Sequence, residues 1–261
     1  MNKEWQVPTH EIIQILPKKC AYCLCIPVIN EGDRILQQLD KVSPFLEQVD
    51  ILLLDGGSTD GSTQIEKLKA RGVNTLLVKT GAGKLSAQLR MGYAYALEQG
   101  YKGIITVDGN GKDNVDAIPL FIQALEEGFD MVQGSRYVPG GKAINTPKIR
   151  HIAVKLIHVP IVSKVAGFKY TDTTNGYRGY STNYLLNDEV QPFRDIFNTY
   201  ELLAYLSVRA PQLGLKTKEI PVTRSYPPKG KTPTKISFFK GNSDLLRILW
   251  ELVRHKYDPK K

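Results

Sequence analysis

Five short apolar runs, each ending on a polar or glycine-bearing cluster and separated from the next by a helical pattern, constrain the fold of this chain most tightly. They occupy residues 22–28, 49–54, 73–78, 103–107 and 130–133. Between them, Ile35, Leu36, Leu39 and Val42 fall on one helical face, and residues 62–70, 85–99 and 114–127 also read as helices. This alternation predicts an α/β fold, a mainly parallel sheet flanked by helices on both faces. In such sheets ligands bind beyond the carboxyl ends of the strands. The polar groups at those ends are Asn30 and Glu31, residues 55–60 and residues 108–113. They are the first candidates for a site.

Beyond residue 135 the pattern changes. Residues 134–142 read as a loop, 148–167 as a long helix, 171–180 as polar and irregular, and 199–210 as a helix. A late strand over 216–223, a loop over 224–234 and a basic amphipathic helix over 242–256 follow. No internal repeat or low-complexity linker is visible, which points to one continuous domain. No apolar stretch approaches the roughly 18–20 residues needed to span a bilayer. The nearest, residues 152–168, is broken by Lys155, His158, Pro160 and Lys164.

The charge is unevenly placed. The 261 residues carry 35 Lys and Arg against 26 Asp and Glu, a formal +9. Residues 1–135 hold 13 basic and 17 acidic side chains, a balance of −4, and residues 136–261 hold 22 and 9, a balance of +13. The second half is therefore expected to meet something anionic. A nucleic acid is not the expected partner, because no such binding motif is present and the first half is acidic. Cys20, Cys23 and Cys25 are an odd number crowded together, which argues against a disulfide framework and for a reducing, cytoplasmic setting. They read as small apolar residues of a buried strand, since no second Cys pair completes a tetrahedral metal site. Residues 1–17 lack an apolar core followed by a cleavage site, so no secretory signal is expected. His10, His151, His158 and His255 have no ligand spacing and read as structural or solvated.

Two strand ends carry the chemistry. Asp108 and Asn110 lie two residues apart, a spacing that points both side chains the same way in an extended segment. They can serve a hard cation such as Mg2+ or Mn2+ or a sugar phosphate, or they can close an Asx-rich turn on themselves. In residues 55–61, Gly57 and its neighbouring glycines allow close backbone approach, and Asp55 can accept from ribose hydroxyls or base nitrogens. The same loop can also be a strand-to-helix connection capped by Asp60 or Ser62. Two such loops at one sheet edge suggest a nucleotide site.

Taken in order, Ile26-Pro27-Val28-Ile29-Asn30-Glu31, the run Leu53-Leu54-Asp55-Gly56-Gly57-Ser58-Thr59-Asp60-Gly61-Ser62, Val107-Asp108-Gly109-Asn110 and Gly134-Ser135-Arg136-Tyr137 resemble the motifs of family 2 glycosyltransferases. Within that family, residues 134–141, 172–178 and 218–222 resemble polyprenol-phosphate sugar transferases such as dolichyl-phosphate mannose synthases. The resemblance covers about residues 20–235 and implies a GT-A fold. Residues 20–135 would be its donor-nucleotide half and 136–235 its acceptor half, with an N-terminal extension over 1–19 and the basic amphipathic helix over 236–261. It implies that Pro27, Asn30, Glu31, Asp55 and Gly57 hold the nucleotide. Asp108 and Asn110 would bind a divalent metal and the donor diphosphate, and Lys231 and Lys235 would lie in a basic loop covering the donor. Arg136 would meet the acceptor phosphate or the donor diphosphate, and Asp172 and Arg178 would line the acceptor side; Asp108, Arg136 and Asp172 form the implied catalytic set. Three residues depart from the family pattern. Gly56 replaces a second acid after Asp55, Asn110 replaces the second carboxylate of Asp-x-Asp, and Lys112 stands where relatives often carry Gln. Metal affinity is then reduced, or Asp113 supplies the missing carboxylate, or Lys112 neutralises part of the diphosphate.

The implied activity is inverting transfer of a sugar from a nucleotide-diphosphate donor to a polyprenyl-phosphate acceptor. An acceptor that is itself a phosphate needs cations to offset repulsion, for which Arg136, Lys142, Lys148, Arg150 and Arg178 are available. An alcohol acceptor, as in extension of a saccharide or lipid-linked glycan, would need a carboxylate base, with Asp172 and Glu201 as candidates. A catalytically silent nucleotide-sugar-binding protein is the alternative of another class. The C-terminal helix carries Leu245, Leu246, Leu249, Leu252 and Val253 together with Arg247, Arg254 and Lys256. Such a helix either packs on the core or lies on an anionic leaflet, giving a cytoplasmic protein peripheral on the inner face of a membrane.

Overall fold

The structure, a computed structural model, describes residues 5–228 and 238–260. The first half runs β1 (His10–Gln14), β2 (Tyr22–Val28), α1 (Asp33–Val42), β3 (Val49–Asp55), α2 (Ile65–Lys69), β4 (Val73–Lys79), α3 (Leu85–Glu98), β5 (Gly103–Thr106), α4 (Ile118–Glu126) and β6 (Met131–Ser135). The second begins with β7 (Lys142–Ile144), α5 (Lys148–Ala153), α6 (Val159–Ala166), β8 (Arg178–Ser181) and α7 (Thr182–Leu186). It ends with α8 (Glu201–Gln212), β9 (Thr217–Pro221), β10 (Thr223–Ser225) and α9 (Phe238–Val253). Among the described residues, eight strands form one sheet in the order β1-β4-β3-β2-β5-β8-β6-β9, and β10 pairs with β7 in a second, two-stranded one. Strands β4, β3, β2 and β5 are mutually parallel, as are β6 and β9, while β1 and β8 run against their neighbours. The predicted α/β architecture, a mainly parallel sheet between helices, is the one found.

The apolar alternation of the central strands builds two cores. Leu24, Ile26, Ile51 and Leu53 face one side, where they pack with Ile35 and Leu39 of α1 and Phe121 of α4. Cys23, Cys25, Leu52 and Leu54 face the other, against α3, Leu202 and Leu206 of α8, and Ile248 and Leu249 of α9. The cysteines are free and buried; Cys23 and Cys25 are small apolar residues of β2 as expected, whereas Cys20 precedes that strand. Helix α3 is enclosed nearly all round because it lies between the sheet and α8.

Three segments differ from the expectation. Residues 10–14, outside the alternating pattern, pair antiparallel with β4 as an edge strand. The helix expected over 62–70 shrinks to five residues. Ser62 donates its N–H (3.0 Å) and hydroxyl (2.5 Å) to Asp60 Oδ1, closing an Asx turn where the helix would begin. Within the polar stretch 171–180, Arg178–Ser181 is a strand inserted antiparallel between β5 and β6. Its charge is tolerated because the buried Arg178 guanidinium donates to the carbonyls of Thr173 (3.1 Å), Asn175 (3.0 Å) and Leu203.

This topology positions the site. The carboxyl ends of β2, β3, β5 and β6 and the entrance to the reversed strand β8 share one sheet edge. Residues 28–31, 55–60, 106–113, 135–137 and 172–177 converge there. The β9–β10 segment closes the group, with Val222 N–H donating to Ser135 O (3.0 Å) and Ser225 N–H to Lys112 O (2.8 Å).

Candidate active site

The loops after β2 and β3 are joined by side chains. Asn30 sits at φ 48°, a left-handed conformation that asparagine tolerates, and its Oδ1 accepts Thr59 N–H at 2.8 Å. Its own N–H donates to Ser58 Oγ (3.0 Å), and Gly32 N–H donates to Asp60 Oδ2 (2.7 Å). The Ser62 hydroxyl, helped by the Ser62 and Gly32 N–H groups, holds the Asp60 carboxyl below its ordinary range. Asp55 is buried, and its Oδ1 accepts Gly57 N–H (3.2 Å), Ser58 N–H (2.9 Å) and Ser58 Oγ (2.6 Å). Glu31 takes Arg34 at 2.8 Å. Pro27 presents its carbonyl to Gly109 N–H (3.3 Å), tying the β2 end to the Asp108 loop. Gly56, the departure after Asp55, leaves room for Gln88, whose Nε2 donates to the Val28 and Leu54 carbonyls at 2.9 Å each. A Cβ at Gly56 would stand 3.0 Å from that nitrogen.

A charged cluster lies past β5. Asp108 Oδ2 accepts Arg224 Nη2 at 2.8 Å and Asn110 Nδ2 at 3.4 Å. Arg224 Nη1 donates to the buried Asp113 Oδ2 and, at 3.5 Å, to Asn175 Oδ1. Burial opposes ionisation of Asp108, but Arg224 and Lys112 outweigh it and leave that carboxyl below its ordinary value. Burial prevails at Asp113, whose carboxyl is pushed up even though Arg224 pulls it down. Gln38 braces the loop, donating to Asp108 O (3.0 Å) and accepting Gly111 N–H (2.8 Å). Gly176 makes room for the carboxylate: a Cβ there would lie 2.6 Å from Asp108 Oδ1. Lys112 is buried, with its Nζ 5.3 Å from the centre of the Tyr226 ring. Burial, followed by Arg224, pushes its ammonium pKa down.

On the β6 side, Arg136 and Asp172 form a buried two-pronged ion pair. Nε meets Oδ2 at 2.6 Å and Nη2 meets Oδ1 at 2.9 Å, with side-chain exposures of 2% and 0%. Burial disfavours the guanidinium charge, but the bond to Asp172 more than compensates and raises the Arg136 pKa. Glu219 holds the same loop by accepting Thr171 N–H (2.9 Å) and Asp172 N–H (3.0 Å). Next to this pair, Arg150 Nη1 donates to the Tyr226 hydroxyl (3.0 Å), and Tyr137 Oη lies 3.1 Å from His151 Nδ1. The burial of Tyr226 is outweighed by Arg224 and then Arg150, which lower its phenol pKa.

Most of the expected residues therefore meet at one edge: Pro27, Asn30, Glu31, Asp55, Gly57, Asp108 and Asn110 toward one side, Arg136 and Asp172 toward the other. Arg178, expected to line the acceptor side, is committed instead to the backbone carbonyls of Thr173, Asn175 and Leu203. Lys231 and Lys235 lie outside the described residues. Arg224, Tyr226, Gln38 and His151 were not expected here. The alternation that ends the late strand continues past Val222 to Arg224 and Tyr226, and that signal would have found two of them.

The residues around Asp108 are a poor ligand set for a divalent ion. The Asp108 and Asp113 carboxylates already share Arg224, and Asn110 Oδ1 accepts Lys112 N–H at 3.3 Å. Among the described residues no group of three acidic, His or Cys side chains is arranged to hold a metal. Mg2+ and Mn2+ favour several oxygen ligands in near-octahedral order. This arrangement offers two carboxylates already sharing one guanidinium and one amide already engaged.

Residues 23–187 match the model of Glycosyl transferase family 2, and the chain belongs to that family; it is a glycosyltransferase. It is 26% identical over 200 residues to undecaprenyl-phosphate mannosyltransferase of Micrococcus luteus, covering 76% of this chain and 81% of that one. It is 27% identical over 201 residues to polyprenol monophosphomannose synthase of Mycolicibacterium smegmatis, covering 76% and 75%. Glucosyl-3-phosphoglycerate synthase of Mycobacterium tuberculosis, solved with Mn2+, UDP and phosphoglyceric acid, shares the fold at a TM-score of 0.60. That likeness has 14% identity over 89% of this chain and 75% of the other. The GT-A fold expectation is met, and the divalent ion expected with it has a counterpart in that complex.

Proposed function

We propose that this glycosyltransferase moves one sugar from a nucleotide-diphosphate donor directly onto the phosphate of a polyprenyl phosphate, with inversion at the anomeric carbon. The observation that carries the choice of acceptor is the state of the two carboxylates offered as bases. Asp172 is locked to Arg136, and Glu201 accepts both the N–H and the hydroxyl of Thr199 at 2.6 Å. Neither is poised to deprotonate an alcohol, whereas a phosphate oxygen attacks without a base. In the step itself, an acceptor phosphate oxygen supplies the electron pair of the new bond to the anomeric carbon. The bond from that carbon to the donor's diphosphate oxygen breaks, and its electron pair leaves with the nucleoside diphosphate. The joined loops 30–32 and 55–60 suit the nucleoside, with Asp55 and Glu31 as acceptors for its hydroxyl or base N–H groups. Arg150, with Lys148 and Lys155 on the same segment, provides the positive side of the edge for the acceptor phosphate, and Arg136 holds the loop beneath it through Asp172.

The names of the two relatives, one an undecaprenyl-phosphate and one a polyprenol transferase, agree with a lipid acceptor. Helix α5 supports the same reading. Arg150 and His151 turn inward to Tyr226 and Tyr137, while Ile149 (73% exposed), Ile152 (55%) and Leu156 (72%) face outward on and just beyond it, flanked by Lys148 and Lys155. An apolar face with flanking lysines beside a phosphate site suits a lipid chain entering from an anionic membrane surface. No helix among the described residues is long and apolar enough to cross a membrane. We place the protein on the cytoplasmic surface of that membrane as a peripheral enzyme. Helix α9 packs inward through Ile248, Leu249 and Leu252, the core-packing alternative, and leaves Leu246, Trp250 and Val253 exposed on a face that suits contact with the same leaflet.

The test is acceptor dependence. With a panel of nucleotide sugars, release of nucleoside diphosphate should require vesicles containing polyprenyl monophosphate. Equal release with the unphosphorylated polyprenol would refute the reading.

A further inference from the structure

We propose that the diphosphate of the donor is bound by cations of the protein itself, Lys112 foremost with Arg34 and Lys41, and that this binding requires no divalent metal ion. The inference rests on the donor-site reading above and adds what neutralises the leaving group.

Charge gives the first argument. The formal charges of Asp108, Asp113, Arg224 and Lys112 at the end of β5 sum to zero. A divalent cation entering this cluster must take Asp108 from an arginine already bonded at 2.8 Å. A diphosphate meets the Lys112 ammonium, held in place before it arrives beside the Arg34 and Lys41 side chains. Guanidinium pairs with phosphate through two parallel N–H donors, and fixed cations at a developing negative charge stabilise a departing diphosphate as a metal would.

The adjoining space gives the second. A cavity of about 310 Å3 opens beside the loop, near the lower limit of small-ligand pockets. Arg34, Lys41 and Lys112 line it together with Asn110 and Tyr226, and no acidic residue is among its described lining. Arg34 keeps Glu31 as a partner, so part of its charge is already offset. Even so, the charged side chains of its described lining are all cationic. Its floor is rigid: Gln38 bonds both Asp108 O and Gly111 N–H, and Ser225 N–H donates to Lys112 O. Arg224 and Lys112 are thus held against each other by the backbone pairing of two segments far apart in sequence.

The experiment titrates UDP, GDP, ADP and CDP into the full chain by calorimetry, in EDTA and then with Mn2+. At least one nucleotide should bind in EDTA with a Kd within about threefold of its value in Mn2+. The paired substitution Asn110→Asp with Lys112→Gln shifts the cluster from zero to −2, the charge that one divalent ion cancels. It should weaken binding in EDTA by about tenfold or more, and Mn2+ should restore it. Paramagnetic resonance of Mn2+ mixed with protein alone should detect bound ion in the double variant and none in the wild type. Thermal melts establish that the variant is folded, and if it is not, the wild-type titration and resonance decide alone. Binding by the wild type only in Mn2+ would overturn this inference and leave the donor site standing. Absence of binding by all four nucleotides in both conditions would overturn the donor site and the inference with it.

Discussion

Replacing Asp172 with Asn removes one charge from the most enclosed ion pair of the site. The carboxylate is fully buried and accepts Arg136 Nε, Nη2 and backbone N–H at 2.6, 2.9 and 3.2 Å, and Thr174 N–H at 3.2 Å. The amide keeps the shape but leaves the guanidinium without a counter-charge. Removing one partner of a buried pair costs about 3–5 kcal/mol. For a chain of this length, about 2 °C of melting temperature corresponds to each kcal/mol, so Asp172→Asn should melt about 6–10 °C lower. The double variant Arg136→Met, Asp172→Asn removes both charges, and its loss should be smaller than the sum of the losses of Arg136→Met and Asp172→Asn alone by more than about 2 kcal/mol. Urea denaturation of the four proteins measures this coupling. A single variant that melts within about 1 °C of wild type, or losses that simply add, would show that the pair does not lock the loop to β6.

Other consequences are open to measurement. Gly176→Ala should move the Asp108 carboxylate, which a Cβ would approach to 2.6 Å, and lower kcat/KM by about 10- to 100-fold with little change in melting temperature. Unchanged turnover would mean that the carboxylate position is not critical. Ile149→Asp with Leu156→Asp, both at outward positions, should abolish co-flotation with anionic vesicles and leave nucleotide binding intact. Persistent flotation would remove this face from the membrane contact. Burial holds the His158 imidazole below its ordinary value of 6.5, so the unfolded chain takes up the proton first. The stability conferred by the neutral ring is complete above about pH 6.5 and declines as pH falls below it. His158→Leu should flatten that acid decline in urea titrations, and an unaltered slope would contradict the shift.

The strands and their loops were legible because buried parallel strands leave continuous apolar runs, and the chemistry sits where those runs stop. Asn30, Asp55 and Asp108 were found that way. Strand β8 escaped because its sequence, Arg178-Gly179-Tyr180-Ser181, has no apolar run; it is held by pairing on both sides and by carbonyls that satisfy Arg178. Arg224 escaped for a related reason. Its role comes from β10 crossing beside residues 112–114, a contact between segments more than a hundred residues apart that no local pattern encodes. The pairing of Arg136 with Asp172 is also a product of tertiary structure. Sequence presented them as two separate candidates, and the fold makes them one unit.

The most direct test of the transfer is the lipid product itself. Purified protein, a turned-over nucleotide sugar and polyprenyl monophosphate in vesicles should yield one sugar joined to the lipid through a single phosphate. Its anomeric configuration should be opposite to that of the donor, and one nucleoside diphosphate should be released per linkage. A retained configuration, a trapped glycosyl-enzyme, or a sugar found only on a pre-existing glycan would contradict direct displacement by the lipid phosphate.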